Sequence, residues 1–206
     1  MPKGHDVGEA ALTDRRSFAA RSYDAAMSSE NGSFTADLDR GWIEVVIEIP
    51  KGSRNKYEID HETGEVWLDR HLFTATSYPA DYGFVPDTLA EDGDPLDVLV
   101  LLDASTLPGC HVRARPLAVF WMEDEAGPDA KVLAVPFGDP RWEHLQDLSD
   151  VPPHLLSEIS HFFEVYKALE PHKRTDVGRW GSNEEAWEAV RDSKAREAAH
   201  RVGSGE

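Results

Sequence analysis

Hydrophobic positions along the chain change their spacing twice, and the changes divide it into three parts. Residues 1 to 40 mix Ser, Ala, Asp and Arg without a sustained period, and Ser28-Ser29-Glu30-Asn31-Gly32-Ser33 reads as loop. A flexible N-terminal extension is expected there, with room for short helical pieces around Ser17 to Ala26. From Trp42 the pattern becomes that of strands. Trp42 to Ile49 is rich in β-branched residues and would set Val45, Ile47 and Ile49 on one face and Glu48 on the other. Tyr57 to Asp60 and Glu65 to Leu68 flank His61-Glu62-Thr63-Gly64, which predicts a hairpin with Gly64 free to turn left-handed. Its alternation puts Lys56 with Glu58, and Leu68 with Arg70. Asp97 to Leu102, Val112 to Met122 and Lys131 to Val135 bring the expectation to five or six strands, separated by Pro- and Gly-bearing connections.

The last third turns helical. Leu155, Leu156, Ile159, Phe162, Phe163, Tyr166 and Leu169 recur at helical spacing after Pro152 and Pro153. A second helix begins near Ser182, where Glu185 completes a capping box, and runs to about His200. Strands followed by helices give an α+β class, and short strands of this kind suit either a small closed barrel or an open sheet. One domain over residues 41 to 206 is expected, since no shift of composition marks a second.

Charge narrows the partners. With 21 basic and 39 acidic residues the chain carries −18, which argues against nucleic acid, whose backbone requires a basic surface. The single cysteine, Cys110, allows no internal disulfide and fits a reducing compartment. No stretch approaches the ~20 apolar residues of a membrane span, and a cytoplasmic protein is expected.

The acidity is concentrated in two loops. Asp92-Gly93-Asp94-Pro95-Leu96-Asp97 places three carboxylates on a turn shaped by Gly93 and Pro95, just before an apolar run that would mount Asp97 rigidly. Hard cations such as Mg²⁺ favour such oxygen ligands. Alone, the turn is as compatible with an exposed acidic patch. The second cluster, Glu123 to Lys131, links two strands, and two carboxylate loops can form one cage, with Asp97 and Asp129 the bridging candidates for a pair of ions in phosphoryl hydrolysis. Lys56, Arg70, Lys131 and Lys167 are the complementary cations; Arg70 can grip phosphate bidentately and the lysines act as point charges. Tyr78 and Tyr82 offer hydroxyls and cavity walls, and Tyr166 lies in the helical apolar stripe beside Lys167. An EF-hand register from Asp92 fails, with Asp97 at the glycine position and Asp103 at the glutamate position. The nine histidines form no His-Glu-x-x-His pair, no Walker loop occurs, and one cysteine cannot build a zinc cluster. His61, beside Glu58 and Asp60, is the histidine placed to touch a metal or a neighbouring subunit.

Assembled in order, the motifs resemble family I soluble inorganic pyrophosphatases of bacterial type. The resemblance rests on Glu48-Ile49-Pro50-Lys51-Gly52, Asn55-Lys56-Tyr57-Glu58-Ile59-Asp60, Asp69-Arg70, Tyr78-Pro79 with Asp81-Tyr82-Gly83, the Asp92 to Asp97 hexapeptide, Asp124 to Lys131, and His161-Phe162-Phe163 with Tyr166-Lys167. It covers Trp42 to Leu169 and, more loosely, the remainder. It implies a five-stranded oligonucleotide-binding-like (OB-like) β-barrel flanked by C-terminal α-helices, and hydrolysis of pyrophosphate to two phosphates by a metal-activated water, with several Mg²⁺ ions for which Mn²⁺ or Zn²⁺ could substitute. By the same resemblance Asp92, Asp97 and Asp129 would ligate a primary metal, Asp124 with Asp129 a substrate-associated one, and Glu48 and Glu58 would act through water, with Asp97 bridging two ions. Lys56, Arg70, Tyr82, Lys131, Tyr166 and Lys167 would hold phosphate oxygens, with Tyr78 in support. Asp94 or Asp129 would accept the proton of the attacking water, and a homohexamer is implied. The chain departs from the family pattern in its extension of about 40 residues, in Pro128, and in Pro171-His172-Lys173-Arg174.

Two other functions use the same residues. An aspartyl phosphatase would make Asp92 a covalent phosphoryl acceptor, but its motif should end an apolar strand, whereas here the apolar run follows the acids. A barrel-type binding module is open to the same fold, yet a nucleic-acid groove needs a basic lining with stacking aromatics.

Overall fold

The structure is a computed structural model that describes residues 36–37, 41–125, 127–173 and 175–204. The segment Ser17 to Ala26, open to short helical pieces, and the expected loop from Ser28 to Ser33 lie outside the described residues. Nine strands are described: β1 Ala36–Asp37, β2 Trp42–Ile49, β3 Asn55–Ile59, β4 Val66–His71, β5 Asp81–Phe84, β6 Asp97–Val100, β7 His111–Asp124, β8 Pro128–Pro136 and β9 Thr175–Gly181. Among the described residues there are also two α-helices, α1 Pro153–Val165 and α2 Asn183–Ser204, and a 3₁₀ turn at Leu148–Asp150.

Strand order in the main sheet is β1-β2-β5-β6-β8-β7-β9, and β2 also pairs with β7. That extra pairing closes β2, β5, β6, β8 and β7 into a ring of five strands. All pairings in the ring are antiparallel except β6 with β8, which run parallel and set Asp97 opposite Lys131. Strands β3 and β4 form their own two-stranded sheet.

The apolar runs are continuous because successive residues enter different hydrophobic clusters, as expected for strands buried on both faces. Leu99 and Leu101 of the β6 segment, with Leu133 and Val135 of β8, join Phe120 and the α1 residues Ile159, Phe162 and Phe163. Val98, Val100, Val132 and Ala134 turn to the other cluster, where Ala186, Ala189 and Val190 of α2 pack. In β2, Ile43, Val45 and Ile47 belong to the α2 cluster, but Ile49 belongs to the α1 cluster. The shared face expected for Val45, Ile47 and Ile49 is therefore broken, because a register shift between Ile47 and Ile49 rotates the end of the strand.

Three further differences have local causes. β5 is short and contains Gly83, whose missing side chain lets β2 approach: a Cβ there would lie 1.9 Å from the Val46 carbonyl oxygen. α1 ends at Val165, short of the expected Leu169, because turns closed by Ala168 N–H to the Val165 carbonyl and Glu170 N–H to that of Lys167 replace the helical ladder. Leu169 is consequently exposed. β9 pairs with the outer edge of β7, where sequence pattern predicted no strand. The α2 cap matches expectation: Glu185 N–H donates to Ser182 Oγ at 3.3 Å, and Ser182 N–H to Glu185 Oε1 at 3.2 Å.

Candidate active site

A cavity of about 910 Å³ is bounded by the ring, the β3–β4 hairpin and the segment that follows α1. Eleven carboxylates and five Lys or Arg side chains line it. Its construction follows from a few local rules.

The first acidic loop is folded upon itself. Gly93 adopts φ +95°, a conformation that favours glycine, and the turn closes through Ala90 N–H to the Asp94 carbonyl at 2.7 Å and Asp94 N–H to Asp92 Oδ1 at 3.1 Å. Leu96 N–H donates to Thr88 Oγ1 at 2.9 Å, so Asp97 enters β6 in a fixed register. At the far end of β5, opposite Val100, buried Asp81 accepts the N–H groups of Lys51 at 2.6 Å and Thr106 at 2.7 Å and the Thr106 hydroxyl at 3.0 Å, a structural use that satisfies a buried carboxylate.

Lys131 is the hub. Its side chain is 2 % exposed, and Nζ donates to Asp97 Oδ2 at 2.6 Å, Asp129 Oδ1 at 2.8 Å and the Tyr82 hydroxyl at 3.0 Å. The Tyr82 hydroxyl in turn donates to Asp97. Burial opposes the Lys131 charge, but Asp97 and Asp129 outweigh it and hold its pKa well above the ordinary lysine value. Asp129 is pushed upward by burial and by Asp97 and Asp124, which Lys131 offsets only in part. Asp92 rises to about 6, chiefly through burial and then through Asp129, Asp97 and Asp94. Burial also lifts Glu48 to about 7, although it accepts the Ile59 N–H at 2.9 Å.

Around this centre stand further ion pairs. Lys167 donates to Asp124 at 2.7 Å and reaches Glu125 at 3.4 Å, while Lys173 pairs with Glu125. Burial favours a higher Glu125 pKa, but the Lys173 hydrogen bond and the lysine charges bring it down to about 2. On the hairpin, Lys56 pairs with Glu58 as their shared face predicts, and lies 3.4 Å from Asp69. Arg70 pairs with both Asp69 and Glu170. Tyr82, Phe162, Phe163 and Tyr166 form the aromatic wall beneath, with Phe162 and Tyr166 rings stacked at 5.2 Å and Lys131 Nζ 5.1 Å from the Phe163 ring centre.

Glu48, Lys56, Glu58, Arg70, Tyr82, Asp92, Asp94, Asp97, Asp124, Asp129, Lys131, Tyr166 and Lys167, all singled out in the sequence, line this one cavity. Tyr78 does not; it is buried behind the wall, 5.3 Å from the Tyr82 ring and 4.8 Å from that of Phe162. His61 also lines the cavity and meets the Phe84 ring edge-on at 4.8 Å. Sequence reasoning gave no role to Asp69, Glu125, Glu170 or Lys173. Asp69 adjoins Arg70 within a quoted motif, and Glu170 and Lys173 lie within two turns of Lys167, which were the available signals.

The donor set suits hard cations. All the acids offer oxygen, Asp92 and Asp129 bear the cost of burial and mutual repulsion that a bound cation relieves, and carboxylates outnumber cations in the lining. Among the described residues, no three His, Cys, Asp or Glu side chains are already gathered into a ligand set. Instead Lys131 sits between Asp97 and Asp129.

Hard oxygen donors facing lysines, an arginine and tyrosine hydroxyls are the equipment of a metal-assisted phosphohydrolase. Comparison with known proteins gives the same class a family. Residues 45–198 match the family described as inorganic pyrophosphatase. The chain is 59% identical over 147 residues to the inorganic pyrophosphatase of Leifsonia xyli, covering 71% of this chain and 90% of that protein. It is 58% identical over 153 residues to that of Streptomyces coelicolor, covering 74% and 94%. The crystal structure of inorganic pyrophosphatase from Thermus thermophilus superposes with a TM-score of 0.77 at 49% identity, covering 80% of this chain and 95% of that one. The chain belongs to the inorganic pyrophosphatase family, among the family I enzymes of bacterial type. No helix among the described residues is long and apolar enough to cross a membrane.

Proposed function

We propose that the chain hydrolyses inorganic pyrophosphate to two orthophosphates in this cavity, as the names of its relatives indicate for them. The observation that carries the reading is the convergence of phosphate-complementary cations and hydroxyls with an excess of carboxylates in one cavity. Such a lining repels a bare pyrophosphate anion and admits one accompanied by cations.

Glu48, Glu58, Asp92, Asp97, Asp124 and Asp129 would hold several Mg²⁺ ions, or Mn²⁺ or Zn²⁺ in their place. Bound there, the ions lower the pKa of water and offset charge on the phosphate oxygens. The protein's own part is to position and to move a proton. Lys56, Arg70, Lys131 and Lys167, each now engaged by carboxylates, turn their charges to the phosphate oxygens, while the hydroxyls of Tyr82 and Tyr166 donate to them. Burial keeps both tyrosines protonated, since it pushes their pKa values up. Tyr78 stiffens the wall. A water attacks one phosphorus as the bridging P–O bond breaks, and Asp94 takes its proton, the second phosphate leaving as orthophosphate. Asp94 is preferred to Asp129 as the base because Asp129 would be engaged as a metal ligand, whereas Asp94 lines the same cavity without that duty.

The reading extends to the whole chain: the five-strand ring as an OB-like barrel, residues 41 to 206 as one pyrophosphatase domain behind an N-terminal extension, a homohexamer, and a cytoplasmic setting. The test of the site is phosphate release from pyrophosphate and Mg²⁺ by Asp97→Ala and Asp129→Ala proteins that retain a cooperative melt. Both should lose most activity; robust turnover in both contradicts the metal assignment.

A further inference from the structure

Glu170 has no part in the expected site and does not line the cavity, yet it grips Arg70, which does, with both carboxylate oxygens. Its Oε1 receives Arg70 Nε and its Oε2 faces Arg70 Nη2, both at 3.0 Å, across a separation of 100 residues. This is a bidentate, charge-assisted grip that fixes a guanidinium in plane as well as in place. The Glu170 side chain is only 6% exposed, whereas Asp69, which holds Nη1, is 30% exposed.

The hairpin needs such a tether. Among the described residues, β3 and β4 pair with each other and with no strand of the ring. Backbone bonds from Gly52 N–H to the Tyr78 carbonyl and from Tyr78 N–H to the Ser53 carbonyl hold the hairpin's base, and side-chain links, among them Arg70 to Glu170 and Glu48 to Ile59 N–H, hold it over the cavity. Glu170 is itself anchored, its N–H donating to the Lys167 carbonyl at 2.9 Å and its carbonyl accepting Lys173 N–H at 3.4 Å. One turn thus sets both Lys167 and the partner of Arg70.

We propose that Glu170 is a positioning residue: it retains the Nε and Nη2 edge of Arg70 so that the Nη1 edge, released from Asp69, meets a phosphate oxygen. The inference rests on the reading of Arg70 as a pyrophosphate ligand. The buried partner stays and the more exposed one exchanges, because Asp69 can be rehydrated at the rim while a vacated Glu170 would remain an unpaired buried charge.

The experiment is a double-mutant cycle on full-length protein with Mg²⁺ and pyrophosphate, using wild type, Glu170→Gln, Arg70→Ala and the double variant, with melts of all four. Glu170→Gln should lower kcat/KM about tenfold, equivalent to ~1.4 kcal/mol, mainly through a higher KM. In the Arg70→Ala background the same change should alter kcat/KM by less than about twofold, because the residue it positions is gone. Glu170→Asp, which keeps the charge and shortens the reach, supplies a second cycle and should fall between wild type and Glu170→Gln. Equal losses in both backgrounds, or no loss beside intact Arg70, overturn the positioning role. A wild type that releases no phosphate from pyrophosphate overturns instead the functional reading on which it rests.

Discussion

Replacing Lys131 by Met retains most of the side-chain volume and removes the ammonium that separates Asp97 from Asp129. Three hydrogen bonds disappear, to Asp97, Asp129 and Tyr82, and two carboxylates are left facing each other. Breaking a buried ion pair by deleting one partner costs roughly 3–5 kcal/mol. Asp97 is 24% exposed and can recover some hydration, which places the expectation near the lower end, about 3 kcal/mol or roughly 6–12 °C in Tm. The loss should depend on pH. In the variant Asp129 is raised further above its unfolded value, so the penalty is full above the folded pKa and fades as pH falls towards the unfolded one. Metal-free melts of wild type and Lys131→Met at pH 8 and pH 5.5 therefore should show a smaller gap at the lower pH. Excess Mg²⁺ should also narrow it, a bound cation standing in for the lost charge. A deficit below about 1 kcal/mol, typical of an exposed pair, refutes the reasoning. So does a larger deficit that neither acid nor Mg²⁺ changes.

Other expectations are quickly checked. Gly83→Ala forces a Cβ to 1.9 Å from the Val46 carbonyl oxygen, with backbone on both sides; the loss should exceed the roughly 1–3 kcal/mol of ordinary overpacking and be seen as a large drop in urea midpoint. Glu48 has a folded pKa of about 7 against 4.5, so the metal-free protein should lose stability as pH rises through that window, by up to roughly 3 kcal/mol. Glu48→Gln should flatten that slope, and parallel slopes for the two proteins contradict the assignment. Ser182→Ala should cost about 1 kcal/mol at the α2 cap and leave kcat unchanged, as urea unfolding beside the phosphate assay will show.

Much of the fold was legible where burial acts on both faces of a strand. The runs Trp42 to Ile49 and Leu96 to Leu102 announce β2 and β6 because all their positions except Glu44, Glu48 and Asp97 carry apolar side chains. β5 gives no such signal: four residues that begin with Asp81 and include Gly83 become a strand only when inserted between β2 and β6. β9, with Gly178 and Gly181 and an exposed face, exists through its register on β7. In the site, the residue types were legible and their partners were not. Clustering of acids and the Lys and Arg positions point to the cavity, but nothing local pairs Lys167 with Asp124 or Arg70 with Glu170, contacts that span 43 and 100 residues. Such pairs are set by the turn after α1 and by the placement of the hairpin.

The most direct test of the account is phosphate release by the wild-type protein from pyrophosphate, with Mg²⁺ and again after chelation. Two orthophosphates for each pyrophosphate consumed with Mg²⁺, and no turnover once the metal is chelated, is the predicted result. Undiminished hydrolysis in the chelator, or intact pyrophosphate in the presence of Mg²⁺, would contradict it.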